Sequence, residues 1–352
     1  MRKTDGHSTL AEVARMAGVG LATASRAVNG GTNVSPATLK KVESAIRQLG
    51  YMPNGAARIL KGARTKSVGL LVPSIEDSFF ASCAEAAGRV ARLHDSLLIV
   101  AVSNNQRGTE MSSLDVLMRH RPDGLLIAPS DPSSVRLRSF IKNRSVPIVT
   151  FDRPVLGDKC ASVLTDNFVA ARNATIHLLE HGYKRILCLS GDAELYTIKE
   201  RLRGYRQAME EVGGPLLIDT TLTDDASSVE RLLQSHLGSR RPPQAIFTLK
   251  SSATIAIFQA LQRLGVSIPS TVALLGFDDF ALAGTLRPSI SVVQQPIEEV
   301  GRNAAELLFA QLGHMPGGNR SRNLRYEPLV LANRLFLRNS CGCKVRATAT
   351  HG

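Results

Sequence analysis

No stretch of the 352 residues is apolar for long enough to cross a bilayer. The longest runs, such as Leu97-Leu98-Ile99-Val100-Ala101-Val102, are strand-sized, whereas a spanning helix needs about 20 apolar residues. A secretory signal is not expected either, because Met1-Arg2-Lys3-Thr4-Asp5 leads into polar sequence rather than an apolar core. Cysteine is sparse: Cys83, Cys160, Cys188, Cys341 and Cys343 are odd in number and mostly scattered, which argues against a disulfide framework. Only Cys341-Gly342-Cys343 is a close pair, and with no second pair and no histidine beside it in sequence it makes a poor zinc signature. No G-x-S-x-G elbow and no phosphate-cradling P-loop occurs. These absences point to a soluble cytoplasmic protein with reduced thiols, no cofactor, no metal and no membrane partner, and against an enzyme.

Two short motifs look chemical and are weak. Gly18-Val19-Gly20 begins like a dinucleotide fingerprint, but Thr23 stands at the third glycine position and no strand precedes it. His177-Leu178-Leu179-Glu180-His181 fits H-x-x-E-H, and a helix would put both histidines on one face. No third ligand is indicated, so the segment reads as an ordinary amphipathic helix.

What is present is charge, unevenly placed. The chain carries a net +13; residues 1–66 hold 11 Lys/Arg against 3 Asp/Glu, and the other 286 hold 32 against 27. A short basic head on a nearly balanced body suits a polyanionic partner.

The head is patterned for helices. Thr9-Leu10-Ala11-Glu12 is a capping box, Leu10, Val13, Ala14 and Ala17 form an apolar face, and Gly18 ends the helix. A second helix runs over 21–28 and stops at Asn29-Gly30-Gly31. Ser35-Pro36 opens a third, with Leu39, Val42, Ile46 and Leu49 as its inward stripe. Two short helices on a tight glycine turn, braced by a third, make a helix-turn-helix. The second helix of such a pair enters the major groove, which would put Leu21, Ala22 and Arg26 at base edges, with Thr23, Ser25 and Asn29 suited to phosphate. The same spacing suits a purely structural three-helix module; the basic charge favours DNA.

Thr9-Leu10-Ala11-Glu12-Val13-Ala14, Ala17-Gly18-Val19, Thr23-Ala24-Ser25-Arg26-Ala27-Val28-Asn29, Val34-Ser35 and Leu49-Gly50-Tyr51-Met52-Pro53-Asn54 resemble the headpiece of the lac/purine repressor (LacI/GalR) family. The resemblance implies that Arg26 reads a base, that Leu21 and Ala22 are the variable specificity pair, and that Thr9, Ser35, Asn54 and Ala57 also belong to the DNA surface. It further implies a hinge helix near 54–61 that orders on operator DNA, with Leu60 as a minor-groove wedge and Lys61 beside it; otherwise Leu60 is a linker residue packed on the body. Gly20 departs from the serine common there, which removes one side-chain phosphate contact.

From residue 67, apolar β-branched runs at 68–72, 97–102, 124–128, 148–151, 163–165, 186–189, 245–249, 272–276 and 291–293 alternate with amphipathic stretches such as 80–93, 168–181, 202–212, 254–264 and 297–312. Strands buried on both faces and separated by helices form parallel, doubly wound sheets, whose ligands bind at the strands' carboxyl ends. The expected fold is an N-terminal all-α helix-turn-helix headpiece (1–53), a hinge and linker (54–66), an α/β periplasmic-binding-protein-like body of two doubly wound parallel-sheet subdomains (67–340, split near 165 and re-crossed near 295), and a polar tail (341–352). The family resemblance continues through Asp166-Asn167, Arg201-Leu202-Arg203-Gly204-Tyr205, Gly276-Phe277-Asp278 and Gln295-Pro296. It implies effector contacts at Phe79, Phe80, Asp152, Thr197, Arg201, Phe247 and Asp278, although each Phe could equally be core and each charge an inter-strand ion pair. Lys250 stands where the family has a neutral or acidic residue; it would favour an acidic effector, or point to solvent. The function implied is a homodimeric repressor that binds double-stranded operator DNA and is controlled by a small molecule such as a sugar or sugar acid. A periplasmic binding protein would suit the body alone, and an enzyme with an acquired DNA-binding head is a third class.

Overall fold

The computed structural model describes residues 8–28, 34–51, 64–144, 146–157, 159–223, 225–313 and 327–343. The chain divides into two compact units, Met1–Thr65 and Lys66–Gly352.

The first unit holds α1 (Leu10–Ala17), α2 (Leu21–Val28) and α3 (Pro36–Leu49). Each end has a local cause. Thr9 and Glu12 complete the capping box, with Thr9 N donating to Glu12 Oε2 at 2.7 Å. Gly18 closes α1 in the left-handed conformation at φ 65°, which costs a residue without Cβ least. Ser35 caps α3 by accepting from Thr38 N, and Pro36 sits in its first turn. Val13, Ala17, Ala27, Val42 and Ala45 form the core, with Val19, Val28, Ile46, Leu49 and Tyr51 packed around it. Leu39, expected inside, is 37% exposed: it lies one step off the stripe that Val42, Ala45 and Ile46 turn inward.

The second unit begins with β1 (Ser67–Val72), α4 (Ser78–Leu93), β2 (Leu97–Val102), α5 (Arg107–Arg119), β3 (Gly124–Ile127), α6 (Val135–Lys142), β4 (Ile148–Phe151) and β5 (Ala161–Thr165). It continues through α7 (Asn167–Glu180), β6 (Ile186–Leu189), α8 (Tyr196–Glu211), β7 (Leu217–Asp219), α9 (Ala226–Leu237), β8 (Ala245–Thr248), α10 (Ser251–Arg263), β9 (Ala273–Phe277) and β10 (Ser291–Gln294). Then come α11 (Ile297–Gly313), β11 (Leu329–Leu331) and β12 (Arg334–Phe336). The strands form two six-stranded sheets, ordered β11-β5-β4-β3-β1-β2 and β12-β10-β9-β8-β6-β7. All recorded pairings are parallel except β10 with β12. Central strands β1, β3, β4, β8 and β9 are buried along their whole length, as helices on both faces require.

The chain passes from the first sheet to the second after β5, and returns after β10 so that Val300, Ala304, Ala305 and Leu308 of α11 complete the first core. A third passage joins β11 to β12. Close helix contacts in each subdomain depend on a glycine: a Cβ at Gly301 would collide with the Cys83 carbonyl, and one at Gly204 with that of Phe168. Among the described residues, no helix is long and apolar enough to cross a membrane.

Candidate functional site

In the first unit, α2 buries Ala24 and Ala27 and turns Leu21, Ala22 and Arg26 outward, with Thr23 and Ser25 half-buried at the margin. Leu21 is 56% exposed, a large apolar side chain offered to a partner rather than to the core. Arg26 lies along its own helix, Nε donating to the Ala22 carbonyl at 3.3 Å, a bond weak enough to exchange for a better acceptor. Gly20 serves as backbone N-cap, its carbonyl accepting from Thr23 N and Ala24 N. The hydroxyls of Thr9 and Ser35 are used in capping, so these two residues offer a partner chiefly the amides of helix N-termini. Asn29, Asn54, Ala57, Leu60 and Lys61 lie outside the described residues.

In the second unit, a cavity of about 420 Å³ opens where the carboxyl ends of both sheets face each other. The lining comes from the turns after strands: Pro73 after β1, Asp152 and Arg153 after β4, Lys250 after β8, Asp278 after β9 and Gln295 after β10. Phe79 and Phe80, at the start of α4, meet edge to face with ring centroids 5.0 Å apart and supply the apolar wall. Thr197 and Arg201 line it from α8.

Arg201 is 3% exposed and organises the polar wall. Its Nε donates to Asn167 Oδ1 at 2.7 Å, one terminal nitrogen reaches the Leu249 carbonyl at 2.7 Å and Asp278 Oδ2 at 3.4 Å, and the guanidinium lies 3.7 Å from the Phe277 ring centroid. Gln295 donates to the other Asp278 oxygen at 2.5 Å and accepts from the Thr165 hydroxyl at 2.7 Å. Thr165 ends β5 and Gln295 follows β10, so this network spans two of the passages between subdomains.

Asp152 and Asp278 occupy matching places, each immediately after a buried strand and each in the left-handed region, at φ 64° and 70°. Non-glycine residues pay about 1–3 kcal/mol for such backbone, which persists where the surroundings enforce it. Here the backbone amides are held by Val163 O and Val293 O. Burial pushes both carboxyls above the usual aspartate range; Arg153 and Arg201 oppose that for Asp152, and Arg201 and Gln295 for Asp278. Arg153 pairs with Asp152 at 3.1 Å and also donates to Asn105 Oδ1 and the Pro129 carbonyl.

Seven of the eight residues expected at the effector site therefore line one cavity. Phe247 does not: it is fully buried within β8, packed among Ile186, Tyr205 and Leu275. Arg153, Asn167 and Gln295 were not anticipated as site residues. Lys250 lines the cavity, half-exposed, with its ammonium 4.0 Å from Asp192 Oδ2. Cys341 and Cys343 do have histidine neighbours, because the fold brings them to His177 and His181 at the end of α7.

Two family models match the chain: "Bacterial regulatory proteins, lacI family" over residues 9–54, and "Periplasmic binding proteins and sugar binding domain of LacI family" over 65–327. Catabolite control protein A of Priestia megaterium is 30% identical over 307 residues, covering 85% of this chain and 91% of that protein. The ribose operon repressor of Escherichia coli (strain K12) is 30% identical over 312 residues, covering 87% and 93%. Among solved structures, the lac repressor dimer bound to operator and the anti-inducer ONPF has a TM-score of 0.81 at 20% identity, covering 96% of this chain and 99% of that one.

Proposed function

Because the chain belongs to the LacI family, DNA-binding transcription regulators that respond to small-molecule effectors, we propose that its own effector is a neutral polyhydroxylated molecule of the sugar type. The observation that carries this is the charge balance of the cavity. Glu76, Asp77, Asp152 and Asp278 face Arg153, Arg201 and Lys250, so no net positive charge remains for an anion. Lys250 has an acidic neighbour of its own, which weakens the case for an acidic effector that its position in the sequence made. Paired buried carboxylates accept hydrogen bonds from hydroxyls, while α8 and α10, which begin at the cavity without side-chain caps, offer amide donors. The name of the ribose operon repressor is consistent with this class of ligand. The chain acts by binding, with no catalytic step.

A panel of neutral sugars, sugar acids and sugar phosphates in thermal melts tests this. A neutral sugar should raise the midpoint in a dose-dependent way, a ligand at 100 times its Kd adding about 2.7 kcal/mol. A shift from acidic ligands alone, lost in Lys250→Ala, would reverse the reading.

The regulator works as a homodimer on a two-fold operator, α2 lying in the major groove with Leu21, Ala22 and Arg26 at base edges and Leu60 wedged in the minor groove. An apolar surface supports self-association. Edge strand β2 exposes Leu97 (66%) and Val100 (43%), flanked by Leu93 (85%) on α4 and Val116 (50%) on α5. An exposed apolar edge strand invites pairing unless a partner covers it. Leu97→Asp should convert the dimer to monomer in sedimentation at micromolar concentration; an unchanged dimer would place the interface elsewhere.

A further inference from the structure

The end of α7 and the segment after β12 bring together two pairs of side chains, one of histidines and one of cysteines, that the sequence keeps at least 160 positions apart. His177, His181, Cys341 and Cys343 place one ligand atom each within 4.8 Å of one another. His181 Nε2 lies 3.2 Å from Cys343 Sγ, and His177 Nε2 lies 3.4 Å from Cys341 Sγ and 3.6 Å from Cys343 Sγ. We propose that these four residues form a structural zinc site that fastens the C-terminal segment to helix α7.

The dimensions suit the ion. Zinc with sulfur at about 2.3 Å and nitrogen at about 2.0 Å, at tetrahedral angles, sets sulfur and nitrogen about 3.5 Å apart. Thiol–imidazole hydrogen bonds alone would pair the groups two by two; here all four ligand atoms lie within 4.8 Å of one another, and His177 Nε2 is within 3.6 Å of both sulfurs. Two imidazoles and two thiolates are a closed tetrahedral donor set of the kind that selects zinc over harder cations.

The surroundings are built for it. The histidines are four residues apart, hence on one helix face. Gly342 takes φ 97°, a conformation that turns both flanking cysteines to the same side and would strain any residue with a Cβ. Cys341 is fully buried, and its sulfur accepts from the Ser291 hydroxyl at 3.1 Å, a bond that stabilises and orients a thiolate ligand. Tyr183 stacks against the His181 ring, with ring centroids 6.0 Å apart. Ser340, next in line, is fixed to the second sheet through the Leu274 carbonyl at 2.6 Å and Ser291 N at 2.8 Å, so the cysteines are presented from a rigid base.

The experiment uses the full chain, purified with reductant, stripped with a chelator, then loaded with zinc or cobalt and freed of excess metal. Wild type should retain about one zinc per chain, and its cobalt form should show the intense visible bands of tetrahedral coordination with thiolate charge transfer. Cys341→Ser should lose both. Should that buried change unfold the protein, Cys343→Ser combined with the exposed His181→Gln serves instead, while Cys160→Ser should bind as wild type does. Zinc addition should raise the melting midpoint of wild type and leave that of the Cys343→Ser, His181→Gln variant unmoved. The site is refuted if reduced wild type retains no zinc, if the double variant retains it equally, or if cobalt gives a spectrum without thiolate charge transfer.

Discussion

Replacing Arg201 by alanine should shift the effector response to higher effector concentrations and destabilise the protein by about 3–5 kcal/mol, the usual result of removing one partner from a buried ion pair. Asp278 would keep the Gln295 amide but lose its cation, and the Asn167 and Leu249 oxygens would be left without their donor. Gln295 places the expected loss toward the lower end. Effector affinity should fall about 10- to 150-fold, corresponding to about 1.5–3 kcal/mol for a hydrogen bond to a charged group. Arg201→Lys should not rescue it, since a lysine cannot serve three acceptors from one plane or stack in the same way on Phe277. Arg201→Met combined with Asp278→Asn should regain part of the stability and none of the affinity, because neutralising both partners removes the unpaired charge. Denaturant unfolding with calorimetric titration of the effector separates the two losses. A destabilisation under about 1 kcal/mol would mean that solvent reaches the pair, as it does for surface ion pairs.

That network was only partly legible in the sequence, for a physical reason. Arg201 and Asp278 were expected at the site because the family resemblance places effector contacts there, although each could equally have been half of an inter-strand ion pair. Gln295 and Asn167 were visible only as family traces, because a neutral amide gives no sign of what it bonds until the fold brings Thr165 to Gln295 across 130 positions. Phe247 illustrates the opposite error. A phenylalanine in a strand buried on both faces and one facing a ligand look alike in a single sequence. Position along the strand decides: Asp152, Asp278 and Gln295 follow the last strand residues, whereas Phe247 precedes the last residue of β8, Thr248.

The central strands were legible because continuous burial on both faces writes an uninterrupted apolar run. Strands β7, β11 and β12 were not. Each is three residues long, none is fully buried, and β11 and β12 are exposed at most of their positions, so none carries a period to read. Helix α8 begins at Tyr196, well before its periodic stretch, because Leu195 stands at its N-cap and supplies no capping side chain. The cysteine and histidine cluster was invisible for the most general of these reasons: two motifs that are each weak alone become one donor set only through tertiary structure. His177 and Cys341 are 164 positions apart.

Arg26→Ala should relax operator specificity at one base pair in each half-site. The planar guanidinium can donate to guanine O6 and N7 together, and each such contact is worth about 1–3 kcal/mol. A two-fold complex loses it twice, about 2–6 kcal/mol in all, so affinity for the preferred operator should fall at least about 30-fold while binding to random DNA changes little. Little is needed to free the side chain for this role, since its one recorded hydrogen bond is the long one to Ala22 within its own helix. Arg26→Lys separates charge from geometry: it should lose most of the specificity yet keep the salt dependence of binding, which reports phosphate neutralisation. Leu21 and Ala22, exposed at the start of α2, have no hydrogen-bonding side chain and can distinguish bases only by apolar contact, most simply with thymine methyl groups. Selection of preferred sites from random DNA with wild type, Arg26→Ala and Leu21→Ala should therefore lose information at different positions of the half-site. If the Arg26→Ala protein recovers the wild-type motif with equal information at every position, Arg26 reads no base, and recognition rests on the remaining exposed residues of α2.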